Sequence, residues 1–144
     1  MNTGSGNTDS SLTVLIVEDC VAVREALREC IHAYFPDLRL LEARCGEEAL
    51  ALAAIERPQI VLMDIGLPGI DGIETTRLIK TRAPDCYVLM VSGYEHVQYR
   101  RAAARAGAAA FIARRNIPGD LVRLLDELVP HFARTAAGRH AVQP

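Results

Sequence analysis

Three acidic residues stand where apolar runs stop. Glu18 and Asp19 follow LTVLIV (Leu12–Val17), and Asp64 follows IVLM (Ile60–Met63). Taken singly, each reads as a helix cap or a turn former. Together they pose an electrostatic problem. Two carboxylates about 4 Å apart repel by roughly 4 kcal/mol at an effective dielectric near 20, so a fold that gathers three needs something to offset them. A hard divalent cation with oxygen ligands does this, and Mg²⁺ takes one or two carboxylates plus waters. Such a cation also neutralises an incoming phosphoryl group and leaves one carboxylate as a nucleophile. This chemistry requires the two apolar runs to be neighbouring strands whose carboxyl ends open on one side.

The rest of the chain supplies elements of that kind. LTVLIV reads as a strand covered on both faces. Val23, Leu27, Cys30, Ile31 and Tyr34 follow at helical spacing, and Pro36 stops the helix. Leu38–Ala43 is a second strand, Glu47–Glu56 a second helix, and Ile60–Met63 the third strand. The loop GLPGIDG leads to a helix over Ile73–Arg82, then a strand over Cys86–Val91. A fourth helix follows over Glu95–Ala106, its inner face Ala with Val97, ended by Gly107. Ala109–Ala113 is the fifth strand. Pro118 suits the first turn of a last helix with Leu121, Leu124, Leu125 and Leu128 inward. Strict alternation predicts an α/β fold: a five-stranded parallel sheet with helices on both faces, doubly wound and flavodoxin-like. Sites in such sheets lie at the carboxyl ends of strands near the topological switch point.

The 144 residues and 15.7 kDa make one domain, expected over 11–133, with polar flexible tails at 1–10 and 134–144. A net charge of −2 carries no global basic field, so direct nucleic-acid binding is not expected. No apolar run approaches the roughly 18 residues that span a bilayer. The N-terminus lacks a signal-peptide pattern, so the expected location is cytoplasmic. Cys20, Cys30, Cys45 and Cys86 are widely spread without CxxC spacing and read as small buried apolar residues. Of sixteen basic residues only Lys80 is lysine.

VLIVEDC, IVLMDIGLPGIDG, VLMVSGY and GAAAFIAR, at these separations, resemble the receiver domain of bacterial two-component response regulators, from about Leu12 to Phe132. The resemblance implies that Asp64 accepts a phosphoryl group from a sensor histidine kinase or phosphotransfer protein. It implies that Glu18 and Asp19 hold Mg²⁺, with Asp19 the direct ligand and the Gly66 carbonyl the third protein ligand. Ser92 is then the hydroxyl that bonds the phosphoryl oxygen, Phe111 the aromatic switch that follows it, and Pro68 and Gly72 shape the loop after the acceptor. The downstream partner is a protein target or a DNA-binding domain not included in this sequence, and homodimerisation through the fourth or last helix stays open.

One position departs from the pattern: where the family places lysine after the fifth strand, this chain has Arg114, followed by Arg115. A guanidinium is longer, planar and bidentate, an ammonium a compact point charge. Arg114 either forks onto Asp64 or turns to solvent; in both cases slower phosphorylation and weaker coupling to Ser92 and Phe111 are expected. The departure also leaves open a second reading, a receiver-like interaction domain that works without phosphorylation. A haloacid-dehalogenase-type phosphohydrolase fits poorly, because Cys20 and Val21 stand where that family needs a second acid or threonine. A flavin-binding protein fits poorly too, because no Ser/Thr-rich phosphate loop follows the first strand.

Overall fold

The computed structural model describes residues 12–142, with side chains over 12–133. The tail expected over 1–10 lies outside the described residues. Five strands, β1 (Thr13–Val17), β2 (Arg39–Ala43), β3 (Ile60–Met63), β4 (Tyr87–Ser92) and β5 (Ala110–Ala113), form one parallel sheet in the order β2-β1-β3-β4-β5. Five helices alternate with them: α1 (Val21–Tyr34), α2 (Gly46–Glu56), α3 (Gly72–Arg82), α4 (Val97–Ala106) and α5 (Gly119–Val142). The strand order reverses between β1 and β3, which pair directly from Val14↔Ile60 to Val17↔Met63. The acids that follow these strands are therefore neighbours at the switch point.

The continuous apolar run of β1 has a simple cause: both sheet faces are covered, and every residue of β1 is buried. Alternate side chains serve two cores. Val14 and Ile16 pack with Leu27 and Ile31 of α1 and Leu121 and Leu125 of α5. Leu15 and Val17 pack on the other face with Ala49 of α2, Ile79 of α3 and Ala103 of α4. Lys80 bridges the lower edge of that second layer, its Nζ donating to the carbonyls of Pro84 and Cys86 at 2.6 and 2.7 Å.

Several expectations need adjustment. Strand β4 starts at Tyr87 and includes Ser92, so Ser92 is fully buried at the strand end rather than just past it. Val97 is not on the inner face of α4: it is half exposed at the first turn, and Ala103 is the helix's one buried residue. Among the cysteines only Cys86 is buried; Cys30 and Cys45 are half-buried and Cys20 is exposed, because Cys20 and Cys45 occupy helix N-cap positions at the sheet's open edge. The peptide bond Ile117–Pro118 is cis, and Pro118 precedes α5, its carbonyl accepting from Val122. The backbone of α5 is helical to Val142, where the composition read as a polar tail; Ala136, Ala137 and Ala141 are strong helix formers.

Helix α4 contributes little buried apolar area, since alanine offers about a third of what leucine does at roughly 25 cal/mol per Å². Helices α1 and α5 each place two fully or nearly fully buried Leu or Ile side chains in the core. Amide hydrogens of α4 should therefore exchange faster than those of α1 and of α5 between Leu121 and Leu128. Equal protection by hydrogen-exchange mass spectrometry would contradict this.

Candidate functional site

The loops after β1 and β3 deliver the three acids to one place: one carboxylate oxygen each from Glu18, Asp19 and Asp64 lies within 4.8 Å of the others. Main-chain bonds set the positions. Glu18 N–H donates to the Ala43 carbonyl at 3.0 Å and Asp64 N–H to the Val17 carbonyl at 3.1 Å, so the ladders of β1 with β2 and β3 run right up to the acids. Glu18 turns inward, where its Oε2 accepts the Cys20 N–H at 3.2 Å, while Asp19 stays exposed. Arg24 holds the turn from outside: its Nη1 donates to the Glu18 carbonyl and its Nε to Glu42 of β2, both at 2.9 Å.

Burial sets the electrostatics. Glu18 is pushed up to about 7, first by desolvation, then by the neighbouring charge of Asp64. Asp64 is raised as well, again mainly by burial, while Arg114, the Ile65 amide and the Ser92 hydroxyl pull it back. Arg114 does turn into the site. It does not fork onto Asp64, however: a single nitrogen, Nη2, lies 3.2 Å from Glu18 Oε1 and 3.3 Å from Asp64 Oδ1. Two buried carboxylates need an offset, and one nitrogen between them serves both. Arg114 Nε and Asp64 Oδ1 are left buried without hydrogen bonds. An unsatisfied donor and an unsatisfied acceptor in one acidic pocket is a costly arrangement that a bound polyatomic anion and a cation would relieve.

Residues 14–126 match the family of the response regulator receiver domain. This chain belongs to that family. Its receiver sequence is 37% identical over 105 residues to the transcriptional activator protein ExaE of Pseudomonas putida, covering 73% of this chain and 49% of that protein. It is 31% identical over 134 residues to the response regulator GacA of Pseudomonas aeruginosa, covering 92% and 59%. The chain thus spans about half the length of these two relatives. Among solved structures, the receiver superposes on a CheY-like receiver domain protein from Methanospirillum hungatei JF-1 with TM-score 0.79 and 26% identity, covering 87% of this chain and 98% of that one. It also superposes on the response regulator domain of Thermotoga maritima CheB with TM-score 0.66 and 31% identity, covering 93% and 99%.

Around the acids of this receiver lie the other residues singled out in the sequence. Gly66 is exposed on the loop after Asp64, under the ring of Tyr94. Gly72 packs so closely that a Cβ there would overlap the Asp64 carbonyl oxygen, so only glycine lets α3 begin at this point. Pro68 is exposed in the same loop. Ser92 Oγ accepts the Tyr94 N–H at 3.1 Å. Phe111 is half-buried on β5, paired with Met90 of β4, and the Arg100 guanidinium lies 4.5 Å from its ring centroid. Arg24, Tyr94 and Arg100 were not legible as site residues. The role of each depends on a partner far away in sequence or on loop geometry, which local pattern does not show.

Proposed function

We propose that this receiver is a phosphorylation switch that accepts a phosphoryl group on Asp64. The observation carrying the reading is the buried Asp64 Oδ1 at the end of β3: it makes no hydrogen bond, and it faces Arg114 beside two further acids. Burial keeps water from solvating the nucleophile and raises its pKa, while Arg114 partly offsets that shift. In the transfer step an Asp64 carboxylate oxygen forms a bond to phosphorus as the phosphorus–nitrogen bond of a phosphohistidine breaks. The bonding pair returns to the imidazole nitrogen. Arg114, with its unsatisfied Nε–H, is placed to receive a phosphoryl oxygen through a charge-assisted hydrogen bond. Ser92 offers its hydroxyl to another oxygen, and Phe111 on the adjacent strand carries that shift toward α4.

The converging oxygens fit a hard divalent cation. Glu18, Asp19, Asp64 and the Gly66 carbonyl would hold Mg²⁺, which when bound neutralises charge developing on the phosphoryl oxygens. The donor is a sensor histidine kinase or phosphotransfer protein, and the output is a downstream protein or an attached domain, as in relatives named for transcriptional activation or protein-glutamate methylesterase activity. We place the protein in the cytoplasm on this reading; among the described residues no helix is long and apolar enough to cross a membrane.

Intact-mass measurement after incubation with Mg²⁺ and acetyl phosphate tests the assignment. A gain of one phosphoryl group, absent from Asp64→Asn, is expected. An unmodified native chain would leave the phosphorylation-independent interaction domain as the better reading.

A further inference from the structure

A cleft of about 1140 Å³ opens at the amino-terminal edge of the sheet, the opposite end from Asp64. It lies where β3 and β4 begin, between the ends of α2 and α3 and the middle of α5. Its volume slightly exceeds the roughly 300–1,000 Å³ of typical small-molecule sites, so it has room for a nucleotide-sized ligand. Two features distinguish it from an ordinary surface furrow.

The first is an aromatic wall. Tyr87, His131 and Phe132 all line the cleft and touch one another, with ring centroids 5.3–5.8 Å apart. The second is a cationic rim formed by Arg57, Lys80 and Arg82, with Asp85 the one acid among the lining residues. Lys80 is committed to main-chain carbonyls. Arg57 and Arg82 are exposed, and neither forms an ion pair among the described residues, although most other arginines there do. Arg57 is also held in an unusual backbone state: at φ 49° it is the one non-glycine residue with positive φ among the described residues, at the C-cap of α2 where glycine is the unstrained choice. A strained arginine on the lip of a cleft points from structure to function.

We propose that this cleft binds a planar aromatic anion of the size of a nucleoside monophosphate. The ring system packs among the rings of Tyr87, His131 and Phe132, which meet one another tilted or edge to face, and the phosphate is gripped by the planar forks of Arg57 and Arg82, whose geometry matches phosphate oxygens. The site is separate from the acidic pocket and needs no phosphorylation at Asp64.

The test is titration of the ¹⁵N-labelled 144-residue chain, without divalent cations, with AMP, phenyl phosphate, adenosine and inorganic phosphate, followed by NMR. AMP and phenyl phosphate should give saturable shifts at the amides of Arg57, Cys86, Tyr87 and Phe132. Adenosine and inorganic phosphate should each bind at least about tenfold more weakly, since each offers only half of the recognition. Arg57→Gly should weaken AMP binding by about tenfold or more, while leaving the melting temperature unchanged or raised, because glycine accepts positive φ freely. Phe132→Leu should weaken AMP more than inorganic phosphate. The proposal is overturned if AMP shifts none of these amides, if the shifts map to Asp64 and its neighbours instead, if inorganic phosphate binds as well as AMP, or if Arg57→Gly binds AMP like the native chain.

Discussion

In the absence of divalent cations, the folded chain should become less stable as the pH rises from about 5 to about 7.5. A carboxylate whose pKa is lowered by an ion pair in the folded state behaves in the opposite way. Burial and the charge of Asp64 push Glu18 up from 4.5 to about 7. Between those values the folded state holds a proton that the unfolded state has released, so raising the pH favours unfolding. Asp64 is shifted in the same direction and adds to the slope. The window bounds the Glu18 contribution at about 3 kcal/mol, fully lost above pH 7. Urea midpoints at pH 5 and 7.5 in EDTA should show the loss, and Glu18→Gln should flatten it. Saturating Mg²⁺ should reduce the loss, because metal ligation favours the deprotonated carboxylates. Identical pH responses in native protein and Glu18→Gln would show that Glu18 is ordinarily solvated.

Removing Arg114 should expose the same conflict directly. Arg114→Ala leaves Glu18 and Asp64 facing each other without the nitrogen that now sits between them at 3.2 and 3.3 Å. Breaking a buried ion pair typically costs 3–5 kcal/mol; with the Arg114 side chain 39% exposed, we expect about 1–3 kcal/mol at pH 7.5 without Mg²⁺. The same variant should accept phosphate from acetyl phosphate more slowly, on the order of tenfold or more, for want of a cation on the developing phosphoryl charge. Arg114→Lys should keep the stability and speed the reaction relative to the native chain, because an ammonium covers less of Asp64 Oδ1 than a guanidinium does. Denaturation midpoints and rates of phosphoryl gain for the three proteins check both effects. An Arg114→Ala variant that matches the native chain in each would mean that the contacts with Glu18 and Asp64 carry no energetic weight.

The alternation of strand and helix was readable because it is written in local periodicity. A run such as Val14–Val17 has no polar face when both sides of the sheet are covered, and Gly107, at φ 109°, ends α4 as its position suggested. The three acids were readable because each marks the end of such a run, and parallel neighbours bring their ends to one edge. Boundaries were less secure. Ser92 belongs to β4, and α5 extends well past Phe132, since the same composition serves a tail or an exposed helix. Local pattern along the chain was enough to give the set of acids and the edge at which they meet. That Arg114 divides one nitrogen between Glu18 and Asp64, that Tyr94 lies over Gly66 and that Arg100 caps Phe111 follow from packing between distant segments. The physical reason is that periodicity along the chain specifies which face a residue occupies. The direction of a long side chain depends instead on the charges and rings that the fold brings within a few ångströms of it.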